Sequence, residues 1–330
     1  MKLNDLKQIA DHFSHPMTAE NYEEMRRYIR RLGLDPDNLY QELEMNSRFV
    51  DTQRDVSRPQ DQVKLHSHTF YEVIFCRSGV QYLVEARRYR LQRGDVLIVP
   101  PRVSHRPLLA ELEEDYRRDV LWLSQEFVSG MHSLFSLPEG KGAGAPIRTA
   151  GTAWEKPLGE AFRTGVRETE RALPGWQMAV MGNTISLLTL LGRAMADLES
   201  QPPPQEEPEL LDEVMAYIEA HLDERISLSA AARRFWVSES TISQLFRKKM
   251  GVSFYRCVTQ RRLISAKSLI DDGVALEEAG RRVGFRDHST FYRAFRGEYG
   301  ISPRQYRKLH ESEREQEPVL LPAERGEQRY

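Results

Sequence analysis

The 330-residue sequence has only two cysteines, Cys76 and Cys257. They are distant from each other and fall in different expected domains, so neither a disulfide framework nor a thiolate metal site is indicated. Long apolar runs are also missing: none approaches the roughly 18 residues that a helix crossing a bilayer requires. The opening stretch MKLNDLKQIADHFSHP has no apolar signal-peptide core, so the expected location is the cytoplasm, with no membrane partner. Net charge is nearly absent too, at −2. What remains is an ordinary soluble composition, 40% hydrophobic and 29% charged, on a chain long enough for two or three domains with cores of their own.

The near-zero balance conceals a split. Residues 225–310 hold 18 Lys+Arg against 7 Asp+Glu, a net of +11, whereas residues 1–224 hold 26 against 36, a net of −10. A basic module of this kind neutralises phosphates and releases counterions, so double-stranded DNA is the expected partner of the C-terminal third.

That third contains one unit twice. In ISLSAAARRFWVSESTISQLFRKKMG a short helix from Leu228 to Phe235 is followed by a turn, and Ser238 caps a second helix that ends at Gly251. In LEEAGRRVGFRDHSTFYRAFRGEYGISP the first helix spans Leu276 to Val283, Gly284 permits the turn, Asp287 caps, and Gly300 closes the second helix. Aligning Phe246-Arg247 with Phe295-Arg296 sets the copies 49 residues apart, the signature of an internal duplication. Between them the apolar positions Phe254, Cys257, Val258, Leu263, Ala266, Leu269 and Ile270 predict a connecting helix over 253–270, about 26 Å long at 1.5 Å per residue. A rod of that length suits reading helices about one DNA turn, roughly 34 Å, apart.

VSESTISQLFRKKMGVSF, RRLISAKSLI and VGFRDHSTFYRAFRGEYGISPRQYR together resemble the DNA-binding domain of the AraC family of bacterial transcription regulators, over about a hundred residues. The resemblance implies base contacts from Ser240, Ser243, Gln244, His288, Ser289, Tyr292 and Arg293, with Ile242, Leu245, Phe246, Phe291 and Phe295 facing the core. Phosphate contacts are expected from Arg247, Lys248, Arg296 and Arg304. It further implies an activator that acts as a homodimer on an operator and engages RNA polymerase. Two departures stand out. Trp236 occupies a position where a small turn residue is common, and Ala279-Gly280 replaces Ile-Ala, which suggests a less rigid second unit because an interior Gly costs a helix about 1 kcal/mol against Ala.

Upstream the periodicity is that of strands. LHSHTFYEVIFCRSG and VQYLVEARRYRLQRGDVLIVPP alternate β-branched and aromatic residues and break at Ser78-Gly79, near Ala86-Arg87 and at Gly94-Asp95, while YRRDVLWLS adds another strand. Short strands at this spacing predict a small β-barrel, and the segment looks like the cupin-type sensor domain attached to many such regulators. His66 and His68 are expected on one strand face with Glu72 at even spacing, and His105 follows the next strand, so all four can converge. They are expected to line a small-molecule effector site, for which the resemblance points to a carbohydrate, or to fix the barrel mouth, or to form a divalent-metal site with the ligand pattern of cupins; no other cofactor is expected.

The expected fold is a multidomain α+β chain: residues 1–60 a helical extension, 61–200 a cupin-like β-barrel ending in a helix pair (154–173 and 178–198), 201–209 a Pro-rich spacer, 210–310 an all-α double helix-turn-helix domain, and 311–330 a disordered tail. Residues 127–152 read as a loop with one short helix. The 178–198 helix has an apolar surface too broad for one small partner; the resemblance implies that the helix pair makes the dimer contact, the alternative being a purely intradomain core, and coupling between effector and DNA is expected through the helix pair and the spacer. A metal-dependent cupin enzyme fused to a DNA-binding module is the alternative. The duplicated unit and the lack of a general acid/base set beyond the His/Glu cluster argue against an enzyme.

Overall fold

The computed structural model describes residues 45, 47–61, 63–110, 112–132, 135, 137–139, 144–198 and 209–308. The helices expected within 3–45, most of the Pro-rich spacer and the tail lie outside the described residues. Two compact units are formed, the larger covering 47–220 and 227–256 and the other covering 221–226 and 257–308.

The larger unit is built on two antiparallel sheets. Strands β1 (Val50–Ser57), β2 (Tyr71–Cys76), β5 (Val96–Val99), β7 (Tyr116–Leu123) and β8 (Ala145–Ile147) form one in the order β1-β7-β2-β5-β8; β3 (Val80–Val84), β4 (Arg87–Leu91) and β6 (His105–Leu108) form the other in the order β4-β3-β6. The run YEVIFC of β2 is buried at every position because both of its faces are covered, and the period of two sorts them. Tyr71, Val73 and Phe75 join one core with Val96, Ile98, Leu121 and Leu123. Ile74 and Cys76 join a second, the barrel interior, with Tyr82, Leu97, Val99 and Tyr116. Glu72, between Tyr71 and Val73, therefore belongs to the interior face.

The outer face of the five-stranded sheet is covered by α2 (Glu155–Arg171) and α3 (Trp176–Leu198), which follow the short α1 (Gln125–Gly130). Leu158, Phe162 and Val166 of α2 are buried at helical spacing, as are Val180, Leu187, Leu188, Leu191 and Ala194 of α3. Helix α3 is long and apolar enough to pass as a membrane span by composition, but this buried stripe is packed into the sheet core. Its other side leaves Met178 71% and Ile185 45% exposed.

Two expectations are corrected here. Residues 50–57 are a strand, not part of a helical extension. VDTQRDVS pairs along its whole length with β7, from Val50 opposite Leu123 to Ser57 opposite Tyr116, and sheet pairing overrides its weak local signal. The 127–152 loop contains β8, whose three residues complete the sheet edge against β5.

Also in the larger unit are α4 (Leu210–Ala220), α5 (Leu228–Arg234) and α6 (Glu239–Leu245), the last continuing as a π turn over Phe246–Met250. Helix α7 (Phe254–Asp271) follows, then α8 (Leu276–Arg282) and α9 (His288–Tyr299). In the smaller unit Leu263, Ala266, Leu276, Ala279, Val283, Phe291, Phe295 and Tyr306 share one core. Gly280 marks a close approach there rather than a weak point, since a Cβ on it would meet Cδ1 of Phe291 at 2.9 Å.

Candidate functional site

The two reading units start and stop where local chemistry directs. The hydroxyl of Ser238 accepts from the Thr241 amide at 3.0 Å, and the carboxylate of Asp287 accepts from the Thr290 amide at 2.8 Å, each satisfying a donor the helix leaves free. Gly251 and Gly300 close the helices in the left-handed region. Between α5 and α6, Trp236 holds a φ of 56° and is 94% exposed.

Packing then fixes the faces. Ile242, Phe246, Phe291 and Phe295 are buried and Leu245 is half-buried. Ser240, Gln244, His288, Ser289 and Arg293 are exposed, while Ser243 and Tyr292 are half-buried. The His288 and Tyr292 rings lie 3.9 Å apart, and His288 Nε2 faces Glu277 at 3.4 Å. Arg247, Lys248, Arg296 and Arg304 are all exposed. Each reading helix thus carries an apolar side in its core and a polar and cationic side in solvent, the division needed to enter a major groove.

In the barrel interior His68, Glu72 and His105 come together, with ligand-capable atoms all within 4.8 Å of one another. His105 Nε2 lies 3.1 Å and His68 Nε2 3.6 Å from Glu72 Oε2, and Trp122 Nε1 donates to Glu72 Oε1 at 3.1 Å. His66, half-buried, packs against His105 with ring centroids 4.4 Å apart and planes tilted by 57°. The expected single strand carrying His66 and His68 is not what assembles them. His66 makes one isolated bridge with His105, after which the chain leaves the ladder, the His68 carbonyl accepting from the Arg102 amide and the Thr69 carbonyl from Gln125.

Each imidazole is oriented by the main chain. Nδ1 of His66, His68 and His105 lies 2.8–2.9 Å from the carbonyls of Lys64, Phe70 and Val103 respectively. A carbonyl only accepts, so every Nδ1 carries a proton and, in the neutral ring, Nε2 is an acceptor. Two such acceptors converge on a carboxylate oxygen that also only accepts. Burial opposes charge on Glu72, but its contacts with His105 and His68 outweigh it and hold the carboxyl well below 4.5. Burial, first among the causes, pushes the ring pKa values of His66 and His68 down. The cluster therefore calls for one more donor: a ring proton, a ligand hydroxyl or a cation.

A barrel interior with oriented polar groups, followed in the chain by a duplicated helix-turn-helix, defines a DNA-binding transcription regulator with a small-molecule-binding domain, not an enzyme. Residues 54–126 match the AraC-like ligand binding domain and residues 231–309 a helix-turn-helix domain, so the chain is similar to AraC-type regulators in both its sensor part and its DNA-binding part. Its relatives include the transcriptional activator RhaS of Salmonella arizonae, 27% identical over 261 residues, which are 76% of this chain and 89% of that one. Another is the HTH-type transcriptional regulator YfiF of Bacillus subtilis, 24% identical over 264 residues, 74% of this chain and 79% of that one. Among solved structures, the DNA-binding domain of AdpA in complex with a target DNA is 28% identical, covering 33% of this chain and 100% of that one with a TM-score of 0.32.

Proposed function

We propose that this regulator is a cytoplasmic, homodimeric activator whose effector is a hydroxyl-rich small molecule, of the carbohydrate class, bound in the barrel beside His66, His68, Glu72 and His105. The observation that carries this is the convergence of Nε2 of His68 and His105 on Glu72 Oε2 inside the apolar barrel interior, since polyol hydroxyls both donate to and accept from such groups and a few oriented polar groups in an apolar lining set specificity. Effector binding changes how the two DNA-binding modules of a dimer are disposed, and the activated dimer recruits RNA polymerase. The exposed Met178 and Ile185 of α3 favour that helix as the dimer contact.

On DNA, Ser240, Ser243 and Gln244 of α6 and His288, Ser289, Tyr292 and Arg293 of α9 read bases, and Arg247, Lys248, Arg296 and Arg304 hold phosphates. Selection of duplex DNA from a random pool, with and without a sugar and polyol library, tests the whole reading. A recovered operator whose binding responds to a polyol, and loses that response in His68→Ala, supports it; a response that survives His68→Ala moves the effector elsewhere.

The same three residues favour a second reading, a divalent cation. The residues fit one: two buried Nε2 acceptors and a carboxylate oxygen lie within 4.8 Å of one another, each ring fixed through its other nitrogen. Bound there, a cation of the Zn, Mn, Fe or Ni kind would act as a Lewis-acid anchor for ligand hydroxyls. Thermal melting with added Zn²⁺ or Mn²⁺ separates the two: a rise lost in Glu72→Ala supports a metal site, and an unchanged melt removes it.

A further inference from the structure

The outward face of the three-stranded sheet carries a row across its strands. Leu83 of β3 is paired with Arg88 of β4 on one side and with Arg106 of β6 on the other, so the three side chains share one face. Leu83 is wholly buried, and both arginines reach the helical part of the same compact unit. Arg88, whose side chain is 8% exposed, grips Asp212 of α4 with Nε at 3.1 Å and Nη2 at 3.2 Å, and meets Glu209 Oε1 at 2.8 Å. Arg106 Nη1 donates to the Met250 carbonyl at 3.0 Å, at the end of the π turn that finishes the first reading helix.

That turn reads Phe-Arg-Lys-Lys-Met, and its Arg247 and Lys248 are the cations assigned above to DNA phosphates. Its Lys249 is close enough to Glu209 to help hold that carboxyl below its ordinary value, after the larger effect of the Arg88 hydrogen bond. The sensor sheet therefore engages the phosphate-binding end of the first reading unit while the base-reading side chains of α6 stay free. On β6, Arg106 follows His105, and in a strand successive residues face opposite sides. His105 points into the effector cluster and Arg106 toward the reading unit.

We propose that Arg88 and Arg106 form a latch that holds the first reading unit on the sensor sheet and competes with DNA backbone for the Phe246–Met250 turn, and that β6 links its release to occupancy of the His105 site. This rests on the function proposed above and adds a direct route to the one through the helix pair and spacer. A closed latch lowers apparent DNA affinity by the fraction of molecules held in it, so opening it raises affinity without any new contact to DNA. The contact is charge-assisted and bidentate at Asp212, the geometry that gives an arginine contact its strength.

The test uses the full chain and duplex DNA recovered from a random pool, with no effector added. Arg88→Glu sets a like charge against Asp212 and Glu209, Arg106→Ala removes the Met250 contact, and Arg87→Glu repeats the charge change at an exposed neighbour on β4. Expected are at least about fivefold tighter binding for Arg88→Glu and for Arg106→Ala, wild-type binding for Arg87→Glu, and a smaller gain for Arg88→Lys, which keeps the charge but loses the bidentate geometry. Unchanged or weaker binding in both latch variants, with normal thermal melts, overturns the latch. If Arg88→Glu fails to fold, Arg106→Ala alone decides. Absence of DNA binding in the wild type and every variant overturns instead the DNA-binding reading on which the latch rests.

Discussion

Gly280 of α8 lies directly against the ring of Phe291 in α9: a Cβ added to it would come within 2.9 Å of both Cδ1 and Cγ. Phe291 is 1% exposed and has no free side on which to retreat. Helix propensity favours alanine over glycine by about 1 kcal/mol, whereas overpacking a core costs about 1–3 kcal/mol. Gly280→Ala is expected to destabilise the second reading unit by about 1 kcal/mol net, read from a urea unfolding curve. A variant more stable than wild type would show that the ring can move aside and that the propensity effect wins.

Trp122 and Glu72 make the second test. Trp122→Phe keeps an aromatic ring, smaller than the indole, and removes the donor to Glu72 Oε1, stranding a buried carboxylate oxygen at a cost of about 1–3 kcal/mol beyond the lost volume. In a double-mutant cycle with Glu72→Met, the tryptophan substitution should cost less by that hydrogen-bond contribution, leaving only the cost of the lost volume. Equal costs in both backgrounds would mean the hydrogen bond contributes nothing measurable.

Arg293 and Arg247 are both exposed but are assigned different work. Arg293→Ala should relax preference at one base position by about 1–3 kcal/mol, and Arg247→Ala should weaken all sequences alike and flatten the salt dependence of binding. Affinities for a set of single-base operator variants measure both. A uniform loss from Arg293→Ala would remove it from base reading.

The Asp287 cap predicts a pH dependence. Hydrogen bonds from the Thr290 amide and hydroxyl hold its carboxyl below the ordinary 3.8. A carboxyl with a depressed folded pKa contributes stability that is fully present above about 3.8 and is lost as pH falls through the lower folded value. Comparing wild type with Asp287→Asn, which caps without titrating, the difference in stability should be constant at neutral pH and shrink on acidification below about 3.8. A difference that stays flat to pH 2 would mean that ionisation of Asp287 contributes nothing.

Much of this molecule is determined by sequence because its signals are local. Ser238, Asp287, Gly251 and Gly300 mark helix ends through contacts three or four residues away, and the apolar positions of 253–270 pointed to α7, found at Phe254–Asp271. Elsewhere the deciding contacts are distant in the chain. Strand β1 exists because β7 pairs with it, Val50 meeting Leu123, and its own residues give no apolar run to announce it. His66 and His68 reach Glu72 not by sharing a strand face but because His105 bridges to His66 and Arg102 draws the His68 carbonyl out of the ladder. The Arg88–Leu83–Arg106 row follows from the register of three strands, and register is set by which faces find partners in the folded chain, so only the tertiary structure could bring those arginines to Asp212 and Met250.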